Sequence, residues 1–485
     1  MFDRDFEWGE LTRFAGQDAR GPTLGIVSGR RRQGKTYLLD ALVRASGGFM
    51  FTATEATAPE SLREFGTALA EYRSEPAPYR FENWNEALSQ LLRGGSGQAP
   101  AVAVLDEFPY LVAQAPELPS LIQRQLDPAS RRTAGPIRLL LCGSAMTFMG
   151  RLLSGGAPLR GRAALELIVP TFDYRLAARF WEIADPRTAV LANAVVGGTP
   201  AYRREFSSDD TPAGPGDFDA WVVRAVLNPA RPLFREARYL LAEEPGVRDT
   251  AVYYSVLAAI AEGNTTRGGI ASYLARPATD LAHPLGILED AGLISRQVDM
   301  FRANRSFYRI AEPLVAFYHA VMRPAWGDLE RPGRGAEVWR RMRQTFTSKV
   351  VGPHFEGLCR EWIRWYASPE TVGGYPSKVG AGAFSDRSAR ALMEADVVAL
   401  SRDDASRPSV LCLGEAKWNT TMTVGHLDRL IRIREALREQ SSAQVTDDTR
   451  LALFSGAGFT DELRDLEARS SEIVLVDLDR LYHGA

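Results

Sequence analysis

The octet Gly29-Arg30-Arg31-Arg32-Gln33-Gly34-Lys35-Thr36 constrains the fold more than any other segment of this chain. It matches the pattern G-x-x-x-x-G-K-[ST]. An apolar run with Leu24, Ile26 and Val27 precedes it, and apolar residues at helical spacing follow from Tyr37 to Val43. The order strand, glycine loop, helix is the context in which this pattern has a mechanism. Glycines let the backbone curl so that its N–H groups, helped by the helix N-terminus, surround phosphate oxygens. On that reading the loop from Gly29 to Thr36, with Tyr37 behind it, contacts a nucleotide. Lys35 neutralises the outer phosphates and the Thr36 hydroxyl ligates magnesium.

A second element agrees with the first. Val102-Ala103-Val104-Leu105 reads as a buried strand and ends in Asp106-Glu107, some 70 residues after the loop. Asp106 is expected to hold magnesium (Mg2+) through water, and Glu107 to polarise an attacking water. Ile137 to Cys142 predicts a third strand, and its end places Ser144 either as a γ-phosphate sensor or as a turn residue. Arg160 and Arg162 follow. They read either as ordinary surface arginines or as a finger across a subunit interface, which would imply a homo-oligomer. Strands alternating with helices predict a parallel sheet covered on both faces.

Length and composition bound the rest. At 485 residues the chain should divide into several units, since single cores rarely exceed about 250 residues. A formal net charge of -2 excludes a polycation built to coat nucleic acid or anionic lipid, so any such contact is local. Cys142, Cys359 and Cys412 have neither zinc spacing nor a disulfide framework. No apolar run approaches the roughly 18 residues of a membrane span, and the start has no leader pattern. A cytoplasmic protein with no membrane contact is the expectation.

Several boundaries follow from the pattern. The segment 1–170 is the expected nucleotide-binding core, and 171–243 a helical lid broken at Gly197-Gly198-Thr199-Pro200. The segment 244–323 has three helices and a hairpin, the pattern of a winged helix-turn-helix. Pro324 to Gly335, rich in Pro, Gly and charge, sets a linker over 324–348. A last domain spans 349–485. The fold class expected is therefore α/β multidomain.

The motifs "GRRRQGKT", "LDEF", "LCGSA" and "VGGTPAY", followed by a winged helix, resemble the archaeal-type ATPases near the AAA+ and STAND groups. Phe2-Asp3-Arg4-Asp5 is similar to that family's N-terminal adenine-covering motif, with Asp3 where a glycine is usual. The resemblance implies ATP as cofactor, Arg4 near the nucleotide and Pro200 against the adenine. Taken alone, Gly198 and Pro200 are a helix break. The expected hairpin carries Arg296, Arg302, Arg305 and Arg309, which offers a backbone contact to DNA. Asp280, Glu289 and Asp290 on the third helix oppose groove binding, and a relay role stays open. For Arg340, Arg341 and Arg343 a solvated helix face is the default.

In the last domain Glu394 to Leu400 and Val410 to Lys417 predict two strands. If they pair through the turn Arg402 to Pro408, Asp396 meets Glu415 and Lys417, because alternate residues share a face. Two carboxylates that hold magnesium, with a lysine beside them, are the groups needed to cut a phosphodiester. Glu356 on the preceding helix would add a ligand. This order resembles the PD-(D/E)xK nuclease fold, although E-x-K alone recurs on salt-bridged surfaces. The expected function is an ATPase coupled to a nuclease-like domain acting on DNA. The alternative is a nucleotide-controlled switch whose last domain binds nucleic acid or protein without cleavage.

Overall fold

The computed structural model describes residues 2–18, 21–93, 102–127, 136–242, 250–386, 391–401, 408–440 and 444–485. The described residues divide into two compact units, the first comprising those up to Thr171 with Thr199–Ala201, the second the other described residues.

In the first unit, β1 (Thr23–Ser28), β2 (Phe49–Thr52), β3 (Val102–Asp106), β4 (Arg138–Gly143) and β5 (Ala163–Ile168) form one parallel sheet in the order β2-β3-β4-β1-β5. Alternate residues feed different cores. Ala103 and Leu105 pack with Leu139, Leu141 and Phe65 in one, and Val102 and Val104 with Leu140, Leu38 and Phe14 in the other. That double burial is why β3 reads as an unbroken apolar run. The sheet's parallel strands thus end together at the loop after β1, at Asp106 and at Gly143, where ligand sites of open α/β sheets form.

The second unit holds the helices Tyr174–Phe180 and Pro186–Val196, then Thr250–Ala261, Arg267–Leu274 and Ala282–Asp290. An antiparallel pair follows, β6 (Ile294–Val298) with β7 (Ser306–Ile310), and then the helix Gly352–Trp365. A second sheet, mixed, has the order β12-β11-β10-β9-β8. Its strands are β8 (Pro376–Asp386), β9 (Ala391–Ser401), β10 (Val410–Lys417), β11 (Arg450–Ser455) and β12 (Ile473–Val476), with the helix Val424–Gln440 after β10. β8, β9 and β10 are antiparallel, and β10, β11 and β12 parallel. Residues 402–407 of the expected turn between β9 and β10 lie outside the described residues.

One expectation needs correction, and one strand was not foreseen. The stretch read as a linker is largely helical, with Trp326–Leu329 and Gly335–Thr345 running into a π-helical turn, Phe346–Val351. Leu329, Val338, Trp339 and Phe346 are buried in the unit's main core, so the apolar spacing outweighs the local Pro and Gly. Pro353, which has no N–H, sits at the junction with the next helix and disturbs the regular ladder there.

The glycine-rich segment before β9 is the long edge strand β8. Its glycines admit the tip of the β6–β7 hairpin: a Cβ on Gly380 would stand 2.7 Å from the Met300 sulfur, and one on Gly382 would overlap the Phe301 ring. Met300 N–H donates to the Ala381 carbonyl (3.1 Å), and the buried Asp299 carboxylate accepts from Ala383 N–H (3.3 Å). The hairpin tip therefore covers a sheet edge, and of its four arginines Arg296 and Arg302 remain exposed.

Candidate phosphate and carboxylate sites

The first site lies in the first unit. Gly34 stands at φ +83° as the N-cap of the helix Lys35–Ser46, and no side chain caps it. The left-handed turn needs glycine, and the first N–H groups of the helix are left facing the loop without a side-chain acceptor. Lys35 is buried, and its Nζ donates to the carbonyls of Gly29 and Arg30 (2.7 Å each). Burial lowers its pKa against the pull of Asp106 and Glu107, so the ammonium is short of negative partners.

At the strand ends, the Thr36 hydroxyl donates to Asp106 Oδ2 (2.8 Å), and the Ser144 hydroxyl donates to Glu107 at 3.0–3.1 Å. Glu107 has φ +50°, an uncommon conformation for a residue with a side chain. All five groups expected from sequence are thus gathered at one end of the sheet. Cys142, read only as an unpaired thiol, lies buried close to Asp106 and Lys35, and burial pushes its pKa well up.

The surroundings are more mixed. Arg4 is buried and reaches the loop, donating to Gln33 O (3.4 Å) and Pro170 O (2.8 Å) while pairing with Glu7 (2.9 Å). Arg31 donates to the Tyr110 hydroxyl (2.8 Å). Gln33 is buried with Oε1 unpartnered, whereas Tyr37 is 66% exposed. Pro200 adjoins the loop through Ala201 N–H, which donates to Arg32 O (3.4 Å). Arg162 is bound to Asp127 (2.7 Å) and Arg160 to the Gly155 carbonyl (2.8 Å), so neither joins the Asp106–Glu107 group within the chain.

These residues fit a magnesium nucleotide. Uncapped helix N–H groups and an under-paired lysine suit phosphate oxygens. A hydroxyl beside a carboxylate is the oxygen donor set of a hard cation that keeps most of its waters.

The second site lies within the second unit. Pairing of Leu413 with Val398 and Gly414 with Val397 brings Asp396 opposite Glu415, as the strand reading expected. Asp396 Oδ2 accepts from Ala416 N–H (3.0 Å), and burial, then Glu356, raises its pKa to about 6. Burial would raise Glu415 too, yet hydrogen bonds from Arg429 (2.8 Å) and Lys417 (3.0 Å) to Oε1 leave it lowered. Glu415 Oε2 is buried without a partner. Arg429, from the helix after β10, was not foreseen; a basic residue on a polar helix carries no signal of its target.

Glu356 is a correction. Arg309 of β7 takes its carboxylate at 2.9 Å, with Arg360 at 3.7 Å, so it is held by cations rather than offered to a metal. Among the described residues no group of three or more His, Cys, Asp or Glu is placed to hold an ion. Two carboxylates with an orphaned oxygen still suit magnesium, which is commonly bound through one or two carboxylates and substrate phosphate. Of the other basic residues, Arg341 pairs with Asp328 (2.8 Å) and Arg343 with Asp219 (2.9 Å), in keeping with a solvated face.

No family model matches the chain. An uncharacterized protein of Methanocaldococcus jannaschii is 27% identical over 312 residues, 63% of this chain, and the match spans 65% of that relative's length. A Walker-type ATPase of Pyrococcus abyssi is similar in structure with a TM-score of 0.49 and 20% identity, over 66% of this chain and 96% of that one. The ORC2 protein of Aeropyrum pernix gives 0.41 and 17% over 72% and 96%. The CDC6P protein of Pyrobaculum aerophilum gives 0.31 and 15% over 68% and 95%. At these values the likenesses add nothing to what the strands and loop themselves say. Among the described residues no helix is long and apolar enough to cross a membrane.

Proposed function

We propose that the first unit binds ATP with magnesium and hydrolyses it. The observation that carries this reading is the pairing of Thr36 with Asp106 and of Ser144 with Glu107 at the mouth of an uncapped, glycine-led helix. The loop N–H groups and Lys35, turning from its own carbonyls, hold the outer phosphates. Thr36 and Asp106 orient the magnesium, which supplies charge neutralisation when bound. Glu107, released from Ser144, accepts a proton from water, and Ser144 is then placed to report the terminal phosphate. Pro200 and Arg4 flank the loop where a base would lie. Arg160 or Arg162 would act only from a second copy of the chain, which makes a homo-oligomer part of the proposal. Release of phosphate from ATP by the wild type but not by Glu107→Gln is the result expected. Equal turnover by both would show that Glu107 is not the base.

For the second unit we propose a magnesium-dependent phosphodiester-cleaving centre acting on DNA, on a nuclease-like sheet. Asp396 and Glu415 would hold the ion, and Lys417 would stabilise developing charge. The favouring observation is the unpartnered, buried Glu415 Oε2 beside Asp396. The three helices and the hairpin before it form a winged helix in this reading, with the exposed Arg296 and Arg302 as its backbone contacts. Plasmid and linear duplex incubated with magnesium, with and without ATP, should be cut by the wild type and not by Lys417→Ala. Binding without cutting by either would favour the switch.

A further inference from the structure

A cavity of about 590 Å³ lies in the second unit among the end of the helix Thr250–Ala261, β7 and the helix Gly352–Trp365. Part of its wall is apolar, with Ile260, Tyr308, Ile310 and Leu358, and its charged lining comprises Arg309, Arg360 and Lys349 together with Glu356, Glu361 and Glu262, the last paired with Lys349. Volume and character match those of small-ligand pockets, which run from about 300 to 1,000 Å³.

The arginines are unevenly satisfied. Arg360 is 4% exposed; its Nη1 donates to the Asp396 carbonyl (2.8 Å), and its Nη2 has no hydrogen-bond partner. Arg309 Nη2 donates to Glu356 (2.9 Å), and the same carboxylate oxygen is 3.7 Å from Arg360 Nη1. Two planar cations thus share one carboxylate, although each can fork onto an oxyanion. A phosphate offers more oxygens and more charge than Glu356, and the apolar wall suits a flat ring attached to it.

We propose that this cavity is a binding site for a phosphate monoester of mononucleotide size, whose phosphate displaces Glu356 from Arg309 and Arg360. The carboxylate is an internal stand-in for the ligand. The proposal does not depend on the ATP reading; through Arg360, which touches the Asp396 carbonyl, the site adjoins the centre of the nuclease reading.

Calorimetric titration of the full chain tests it, with Lys35→Ala included so that the phosphate loop contributes little. The probes are the four ribonucleoside 5′-monophosphates and inorganic phosphate. At least one monophosphate should bind saturably, and more tightly than inorganic phosphate. Arg309→Gln should weaken it at least about tenfold, roughly one charge-assisted contact, with Arg309→Lys in between. Glu356→Gln, which removes the competitor, should strengthen it. Arg309 and Glu356 side chains are 28% and 26% exposed, so these variants leave the core intact, and thermal unfolding verifies this. Absence of binding by all four monophosphates at millimolar concentration would overturn the proposal. So would shifts of the same sign, or none, in Arg309→Gln and Glu356→Gln.

Discussion

The acidic groups of the two units are restrained in different ways. In the first, Asp106 and Glu107 are held by the hydroxyls of Thr36 and Ser144. In the second, Glu415 is held by Lys417 and Arg429, and Glu356 by Arg309. A hydroxyl leaves the negative charge uncompensated and gives way to a cation at little cost. A guanidinium neutralises the charge and must be moved or replaced before the carboxylate can serve elsewhere. The carboxylates of the first site are therefore held by neutral donors, whereas the second site has one orphaned oxygen and a carboxylate under restraint.

The largest effect that would sharpen this contrast is on turnover. Glu107→Gln keeps the hydrogen bond to Ser144 but removes the base, so ATP hydrolysis should fall by about 10²- to 10⁴-fold with nucleotide binding retained, as measured by phosphate release and by equilibrium binding. Next, Lys35→Ala removes two or more charge-assisted phosphate contacts of about 1.5–3 kcal/mol each, and should weaken ATP binding on the order of 100-fold in calorimetry.

Smaller effects probe the second unit. Gly382→Ala drives a methyl into the Phe301 ring and should destabilise that unit by about 1–3 kcal/mol in chemical denaturation, loosening the hairpin from β8. Asp396 gives the mildest test. Its folded pKa, raised to about 6, lies above its unfolded value of about 3.9, so the fold binds the proton more tightly. Stability should therefore fall as pH rises from about 4 to about 6 and stay reduced at neutral pH. Asp396→Asn should accordingly raise neutral-pH stability, on the order of 1 kcal/mol, and flatten that pH dependence. A loss of stability in this variant would mean that the ionised carboxylate is better paired than the geometry implies.

What the sequence disclosed follows the range of the interactions involved. The loop from Gly29 to Thr36 and the strand ending in Asp106-Glu107 are local patterns whose chemistry dictates their spacing, and β1, β3 and β4 were legible from their doubly buried apolar runs. Asp396 and Glu415 were legible because strand alternation converts sequence parity into a shared face. The partners of Glu356 were not: Arg309 arrives from a hairpin 47 positions away, through packing that no local pattern encodes. The helix Gly335–Thr345 was hidden by flanking Pro and Gly, although Val338 and Trp339 already marked its buried face. The strand β8 was not read from the sequence, because the side chains that fill the space of its glycines, Met300 and Phe301, belong to another element.

The most direct test of the central claim is equilibrium binding of ATP to the wild-type chain, with magnesium and again with a chelator, beside Thr36→Ala. Saturable binding with one ATP per chain, tightened by magnesium, and loss of that tightening in Thr36→Ala are predicted. No affinity for ATP in magnesium, or binding that neither magnesium nor Thr36 affects, would contradict the account.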